Sequence, residues 1–313
     1  MLAGDALAQG VRRTGVGPPV RGGARPAPVV HSRRAHLMAS GRYRALAVTA
    51  ALAAGLLVLG TAGACSRGRA NGLTLAGSTS VQPFAEKWTD AYRAHRPGPP
   101  IQVQGGGSTA GVQAALSGAA EIGMSSRALT AAEAVRLRSI PVARDGMAVV
   151  VHPANPIRAL TLADVRSIYA GDRRSWQELG GARAPITVIT REDGSGTRAA
   201  FEELVMGGRP IAAHALVQDS SGSVRQMVAA DPAAIGYISL GLVDATVSAV
   251  TLDGIAASEA TIDGGRYPLV RPFLFVVTGT GRADVRAFID WVTGPEGREL
   301  TRREGLLPPR PRS

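Results

Sequence analysis

From Leu73 onward, short apolar runs alternate with segments whose apolar positions recur at helical spacing. Leu73–Ala76 has the length and composition of a strand, and the turn Gly77-Ser78-Thr79-Ser80 follows it. Between Val81 and Ala94, residues Phe84, Ala85, Trp88, Ala91 and Tyr92 fall on one face of a helix. Ile101–Gln104 predicts a second strand, followed by Gly105–Thr109 and a helix over Ala110–Ser117. Ile122–Met124 predicts a third, ending at Ser125-Ser126-Arg127. Thr130 opens a helix running to Arg138, with Glu133 three residues on as its capping-box partner.

The alternation continues. Gly146–Val151 reads as an apolar strand, Leu160–Ala170 as a helix, and Trp176 falls in a Gly-rich turn region. Ile186–Thr190 reads as a strand entering Arg191-Glu192-Asp193-Gly194-Ser195-Gly196-Thr197, with a helix over Arg198–Val205. Ser220–Ala230 suggests another turn and helix, Ala234–Ser239 a strand, Tyr267–Thr278 a long β-type run and Val285–Thr293 a helix. Strand, polar turn and helix in repeated succession predict an α/β fold. In open sheets of that class, ligands sit beyond the carboxyl ends of the strands. The longest apolar runs, Ala148–Val151 and Leu269–Val277, are candidate crossings between two lobes. The expected division is a leader over 1–64, a linker over 65–72, lobe I over 73–151 and 270–313, and lobe II over 152–269.

With 45% hydrophobic and only 4% aromatic residues, the core must be built mainly from Ala, Val, Leu and Ile. The formal charge of +11 invites a nucleic-acid reading, but its distribution argues otherwise. Eight arginines and a single acid, Asp5, stand before residue 65, leaving +4 for the 27 basic and 23 acidic residues that follow. That remainder suits attraction of a small anion rather than nucleic acid. Lys87 is the sole lysine. His31, His36, His95, His152 and His214 show no metal-like spacing, and no metal or cofactor is expected.

Arg42 and Arg44 precede an uncharged run, Ala45–Ala64, that ends in the small residues Gly60-Thr61-Ala62-Gly63-Ala64. This is the pattern of a secretory signal with its cleavage site. A membrane helix needs about 20 apolar residues, so a retained anchor is the alternative. The only cysteine, Cys65, directly follows. One cysteine excludes an intrachain disulfide. Residues 1–37, rich in Arg, Gly and Pro, read either as an upstream extension before a true start at Met38 or as a disordered basic segment.

Four Gly/Ser/Thr turns precede or open helices: Gly77–Ser80, Gly107–Thr109, Ser125–Arg127 and Gly194–Thr197. A helix start presents unpaired N–H groups and partial positive charge, glycine admits close approach, and hydroxyls add donors. Arg191 adds a planar guanidinium suited to an oxyanion. Each turn alone is ordinary helix-cap chemistry; four of them with an arginine point to a tetrahedral anion. No Gly is followed by Lys-Ser or Lys-Thr, so this is not a nucleotide P-loop. Ser195 lies in Gly-Ser-Gly-Thr and lacks the Gly-x-Ser-x-Gly of a nucleophile elbow, so acyl-transfer catalysis is not expected. Trp88, Trp176 and Trp291 are expected in the core.

Gly77-Ser-Thr-Ser-Val-Gln-Pro-Phe-Ala-Glu-Lys-Trp88, Gln104-Gly-Gly-Gly-Ser-Thr-Ala-Gly-Val112 and Arg191-Glu-Asp-Gly-Ser-Gly-Thr-Arg198 resemble the periplasmic phosphate-binding proteins of ABC importers. Ala119–Leu129, Ala234–Ser239, Tyr267–Pro272 and Phe288–Gly297 fit the same family in order and spacing, so the resemblance spans about 73 to 308. Cys65 after Ala62-Gly63-Ala64 resembles a lipoprotein lipobox, with Ala62 in place of the usual Leu.

The resemblance implies a two-lobed type II binding-protein fold, hinged on two crossover strands, that closes over a dehydrated anion. It implies phosphate contacts from Thr79, Ser80, Ser108, Arg191, Ser195, Gly196 and Thr197, with Asp193 orienting Arg191 by a salt bridge. It implies a monomer outside the cytoplasm, tethered to the membrane by lipid on Cys65 or free in the periplasm, serving a permease and ATPase complex. Many members carry an aspartate, which accepts the proton of hydrogen phosphate, where this chain has Ser126; a shorter-chain branch has a similar Ser-Arg pair. A hydroxyl oxygen also accepts a proton, so Ser126 joins the expected contacts, while Arg127 reads as an exposed helix-start residue. The replacement leaves sulfate open as ligand. A secreted phosphohydrolase using the same pocket, and a surface lipoprotein without a transport role, are the competing classes.

Overall fold

The computed structural model describes residues 72–310. The leader, Cys65, His31 and His36 lie outside them. Three strand–turn–helix units open the fold: β1 (Leu73–Gly77) and α1 (Gln82–His95), β2 (Ile101–Gly105) and α2 (Ser108–Ser117), β3 (Ile122–Ser125) and α3 (Ala131–Arg136). Then come β4 (Arg138–Val151), β5 (Ala159–Leu160), α4 (Leu162–Tyr169), a 3-10 turn at Trp176–Leu179, and β6 (Thr187–Arg191). A helix, α5 (Gly196–Phe201), widens into a π turn at Glu202–Met206 and leads to β7 (Leu216–Gln218), α6 (Ser221–Ala230) and β8 (Ala234–Ser239). β9 (Ser248–Ala249), β10 (Thr251–Leu252), α7 (Glu259–Asp263), β11 (Val270–Val277), α8 (Ala283–Thr293) and α9 (Pro295–Arg303) complete the chain.

The architecture is α/β, built on a curled mixed sheet ordered β2-β1-β3-β11-β4-β8-β6-β7, with β9 also paired to β4. β1 is parallel to β2 and β3, and β6 is parallel to β7 and β8. β11 and β4 are antiparallel to their neighbours and join the two parallel halves. Within β4, Arg138–Gly146 pairs with β11, whereas Met147–Val151 pairs with β8. All the parallel strands of this sheet therefore end toward one zone, where β4 passes from one half to the other.

β4 is longer than the apolar pattern predicts, because Pro141, Arg144 and Asp145 interrupt that pattern. Pro141 is accommodated where the register slips between Phe273 and Leu274, leaving Val142 as the extra residue. The expected Leu160–Ala170 helix begins instead at Leu162. Thr161 caps it by accepting from Asp164 N at 3.0 Å, and Leu160 pairs with Leu252 in β5–β10. The helix expected from Arg198 starts at Gly196, because the Ser195 hydroxyl caps it through Arg198 N at 3.3 Å. α9 carries few apolar residues, and only Gly297 and Thr301 are buried on it, so helical periodicity does not reveal it.

Each half has its own core. In the first, Trp88 meets Phe275 edge-on at 5.8 Å, and Phe84 and Phe288 pack in the same cluster. In the second, Phe201 stacks on Tyr237 at 4.0 Å beside Tyr169 and Trp176. A buried aromatic ring removes on the order of 200 Å² from water, worth about 5 kcal/mol at ~25 cal/mol per Å². The buried indoles also spend their polar atoms: Trp88 Nε1 donates to Thr301 Oγ1 at 3.2 Å and Trp176 Nε1 to the Ala233 carbonyl at 2.8 Å.

α2 lies directly on β1 and β3 because Gly111 has no side chain. A Cβ there would stand 2.6 Å from Gly77 Cα and 2.7 Å from the Met124 carbonyl oxygen. Gly111→Ala is accordingly expected to destabilise the protein by about 2 kcal/mol through overpacking. Urea unfolding should show a lower midpoint at unchanged slope; an unchanged midpoint would show that α2 can lift without cost.

Candidate functional site

The ends of β1, β3 and β6 and the starts of α1, α2, α5 and α6 converge on a buried cluster of hydroxyls around one guanidinium. α1 and α2 begin without a side-chain cap, whereas α5 and α6 are capped by Ser195 and Ser220. Away from the cluster, α3 and α4 close their first turns with full capping boxes. The turn after β1 is anchored by Ser78 N donating to the Met124 carbonyl at 2.9 Å and Gly107 N to the Gly77 carbonyl at 3.0 Å.

Ser80 Oγ lies 2.7 Å from Thr197 Oγ1 and 2.7 Å from Ser221 Oγ, linking the first half of the sheet to the second. Ser126 Oγ lies 3.0 Å from Ser78 Oγ and 3.2 Å from Ser108 Oγ, and Ser126 N donates to Ser108 Oγ at 3.0 Å. Gly196 separates the two hydroxyl groups. A Cβ on it would stand 2.6 Å from Ser126 Oγ and would overlap Ser108 Oγ, so the backbone of α5 passes as close to these serines as a chain can.

Arg191 is only 1% exposed. It donates from Nη1 to Ser221 Oγ at 3.1 Å and from Nη2 to Thr79 Oγ1 at 3.0 Å. Its outer edge forks onto Glu192, with Nε at 2.8 Å and Nη2 at 2.9 Å from the two carboxylate oxygens. Backbone carbonyls of Gln218 and Asp219 accept further bonds at 3.3 Å.

The structure thus brings Thr79, Ser80, Ser108, Ser126, Arg191, Gly196 and Thr197 together, while the Ser195 hydroxyl turns to cap α5. Asp193 does not do what the resemblance implied. It is 94% exposed in its side chain and pairs with Arg198 at 2.6 Å, and the partner of Arg191 is Glu192. The reason is local. Arg191 and Asp193 would share a face if β6 continued, but the strand ends at Arg191, and the turn with Gly194 at φ +86° throws Asp193 outward.

Sequence reasoning also missed Ser78 and Ser221. Ser221 stands in Ser220-Ser221-Gly222-Ser223, a fifth polar helix start of the same composition as the other four. Arg127 is tucked rather than exposed: it forks onto Glu133 with both bonds at 2.9 Å and touches Thr109 Oγ1 at 3.4 Å. Beside the cluster, a cavity of about 150 Å³ opens between the halves, lined by Thr109, Arg127, Gly194, Ser195 and Arg198 among others.

Among the described residues no carboxylate hydrogen-bonds to the clustered hydroxyls, and no His/Cys/Asp/Glu group could hold a metal ion. Every hydroxyl both donates and accepts. Together with Arg191 they form a buried cage of hydrogen-bonding groups matched to a small oxyanion.

A family model for the PBP superfamily domain matches residues 59–296. The phosphate-binding protein PstS of Bacillus subtilis is 30% identical over 241 residues, covering 75% of this chain and 80% of that protein. PstS of Pseudomonas aeruginosa is 28% identical over 272 residues, covering 77% and 84%. A Clostridium perfringens structure assigned to a phosphate ABC transporter substrate-binding protein, with bound phosphate, superposes at TM-score 0.75 with 38% identity over 77% of this chain and 100% of that one. An ABC-type phosphate transport receptor from Vibrio cholerae gives TM-score 0.64 with 35% identity over 76% and 100%.

Glu133 couples the rim of the site to pH. Hydrogen bonds from Arg127, then from the Thr130 backbone, hold its carboxyl at about 2, against burial that acts the other way. Its contribution is complete above the unfolded carboxyl range near 4.5 and fades as pH falls toward about 2. Glu133→Gln, which keeps a capping oxygen, should cost about 1 kcal/mol of stability at pH 7. The difference from wild type should disappear in urea titrations near pH 2; a difference that persists there would contradict the assignment.

Proposed function

The chain belongs to the PstS phosphate-binding proteins of the PBP superfamily, and from that membership we propose that it captures inorganic phosphate outside the cytoplasm and delivers it to an ABC permease and ATPase complex. The observation that carries the reading is the buried Ser80–Thr197–Ser221–Arg191 network, which joins residues of both halves through bonds of 2.7 to 3.1 Å. A ligand held there touches both halves at once, so binding energy favours their closure.

Residues 73–146 with 270–310 act as one lobe and 147–269 as the other, with β4 and β11 as the crossing strands; the boundary expected at 151 moves back because Met147–Val151 pairs with β8. Backbone N–H groups of Ser80, Gly196 and Thr197, and the hydroxyls of Thr79, Ser80, Ser108, Ser126 and Thr197, meet the oxygens; the Ser195 hydroxyl, which accepts from Arg198 N, donates its own proton to them, and Arg191, its outer edge paired with Glu192, presents Nη1 and Nη2. A hydrogen bond to a charged group contributes about 1.5–3 kcal/mol, so several of them offset the loss of the anion's water. Ser126 accepts the proton that hydrogen phosphate carries and sulfate at neutral pH lacks. The lack of a carboxylate on these hydroxyls, among the described residues, makes sulfate the competing ligand. The protein acts as a monomer without turnover, and Cys65, freed by signal cleavage, carries the lipid that holds it at the membrane.

Calorimetric titration of ligand-stripped protein should give one phosphate per chain, undisplaced by equimolar sulfate. Arg191→Lys, which loses the planar fork, should weaken binding about 100-fold, or ~2.7 kcal/mol. No heat with phosphate would overturn the reading, and preferential sulfate binding would change the ligand. In cells fed labelled palmitate, the wild-type chain should incorporate label and Cys65→Ala should not; equal labelling would remove the anchor from the account.

A further inference from the structure

Among the described residues two arginines are fully enclosed, Arg191 and Arg271, at 1% and 3% exposure. The first belongs to the hydroxyl cluster. The second, in the segment Tyr267-Pro-Leu-Val-Arg-Pro272, has no role so far. Its Nε donates to Asp145 Oδ2 at 2.9 Å, and Nη2 stands 2.8 Å from the same oxygen but off the direction of a hydrogen bond. Asp145, fully buried, accepts at its other oxygen from Ser239 Oγ at 2.6 Å. Nη1 and Nη2 are both sealed from solvent; among the described residues neither makes a hydrogen bond, and Nη1 has no ion-pair partner either. A guanidinium carries five donors that cannot be discharged by losing a proton, and buried donors left unpaired are rare in proteins.

The strand registers place this group at the site. Leu274 of β11 faces Ser125 at the end of β3, so Arg271 lies just beyond the point where β3 gives way to Ser126. Arg271 faces Asp145, two residues before Met147, whose partner is Ser239 at the end of β8. β8 runs parallel to β6, which ends at Arg191. Arg271 also lies over the Phe273 ring at 5.3 Å, and Phe273 packs on Phe84 in the first turn of α1, the helix that starts after Ser80. Burial chiefly, and the neighbouring positive charge of Arg191 in addition, push Arg271 below its ordinary range against the pull of Asp145. The two guanidiniums thus sense each other across the zone where the strands end.

We infer that Arg271 is a second oxyanion-binding guanidinium, reaching the anion from the floor of the cleft through Nη1 and Nη2 while Asp145, braced by Ser239, holds its Nε edge and fixes its direction. The inference rests on the oxyanion reading of the hydroxyl cluster and adds to it a contact from the crossing strands. Because Arg271, Asp145 and Ser239 sit on β11, β4 and β8, the contact is sensitive to how the two halves are set.

The test is phosphate titration of wild type and Arg271→Lys. Lysine keeps the charge that Asp145 needs but offers a single nitrogen on a flexible stem. The expected result is a phosphate Kd raised 10- to 100-fold, with the melting temperature of the phosphate-free protein changed by only a few degrees. A folded variant with wild-type affinity would overturn the inference while leaving the hydroxyl site standing. A wild-type protein that binds no phosphate would instead bring down the functional reading, and this inference with it. If the variant does not fold, nitrogen-15 spectra of the wild-type guanidiniums decide: the Arg271 Nη signals should shift and sharpen on adding phosphate, and unmoved signals in a phosphate-binding protein would refute the contact.

Discussion

Burying Arg191 imposes the constraint around which the rest of the site is arranged. An enclosed guanidinium is tolerated only when its charge and donors are met inside the protein. Glu192 meets the charge with a fork of bonds at 2.8 and 2.9 Å, and Thr79 and Ser221 take the inward donors. These partners come from the turn after β1, the turn after β6 and the start of α6, the first of them more than a hundred residues of sequence from the other two. Satisfying one cation therefore requires both halves of the sheet to be in register with each other. The hydroxyls thereby collected into one dry volume are the ones an oxyanion needs.

Topology makes that collection economical. Parallel strands in each half send their carboxyl ends, and hence the polar turns that follow them, toward the same zone. The antiparallel β4 and β11 tie the halves together beside it. Close packing sharpens the arrangement. Gly111 lets α2 settle on β1 and β3, which sets the position of Ser108 at its start, and Gly196 lets the beginning of α5 come up against Ser108 and Ser126. A side chain at either glycine would separate groups that now stand about 3 Å apart. Capping follows the same division of labour. Thr130 and Thr161 close α3 and α4 with their own side chains, while α1 and α2 bring uncapped starts to the cluster.

Much of this was legible in the sequence, because its signals are local. Strand-length apolar runs such as Leu73–Ala76 and Ala234–Ser239, the helical spacing of Phe84, Ala85 and Trp88, and the Thr130–Glu133 box all depend on nearest neighbours along the chain. The first half of β4 was hidden because Pro141, Arg144 and Asp145 break its apolar pattern, and their places depend on a bulge against β11 and on Arg271, more than a hundred residues away. Asp193 was misassigned for a related reason. Which of two adjacent acids turns back to Arg191 is decided by where β6 stops, and Gly194 decides that in three dimensions. Ser221 has the same residue chemistry as the turns that were singled out, but only folding shows that its helix starts beside Arg191.

The central claim is that an oxyanion is held by hydroxyls and arginine from both halves at once. A crystal structure of the protein grown with phosphate tests it most directly. The account predicts density for one tetrahedral anion about 2.7–3.0 Å from Ser80, Ser108, Thr197 and Arg191, in contact with both halves of the sheet. Phosphate bound elsewhere, or touching residues of one half only, would contradict it.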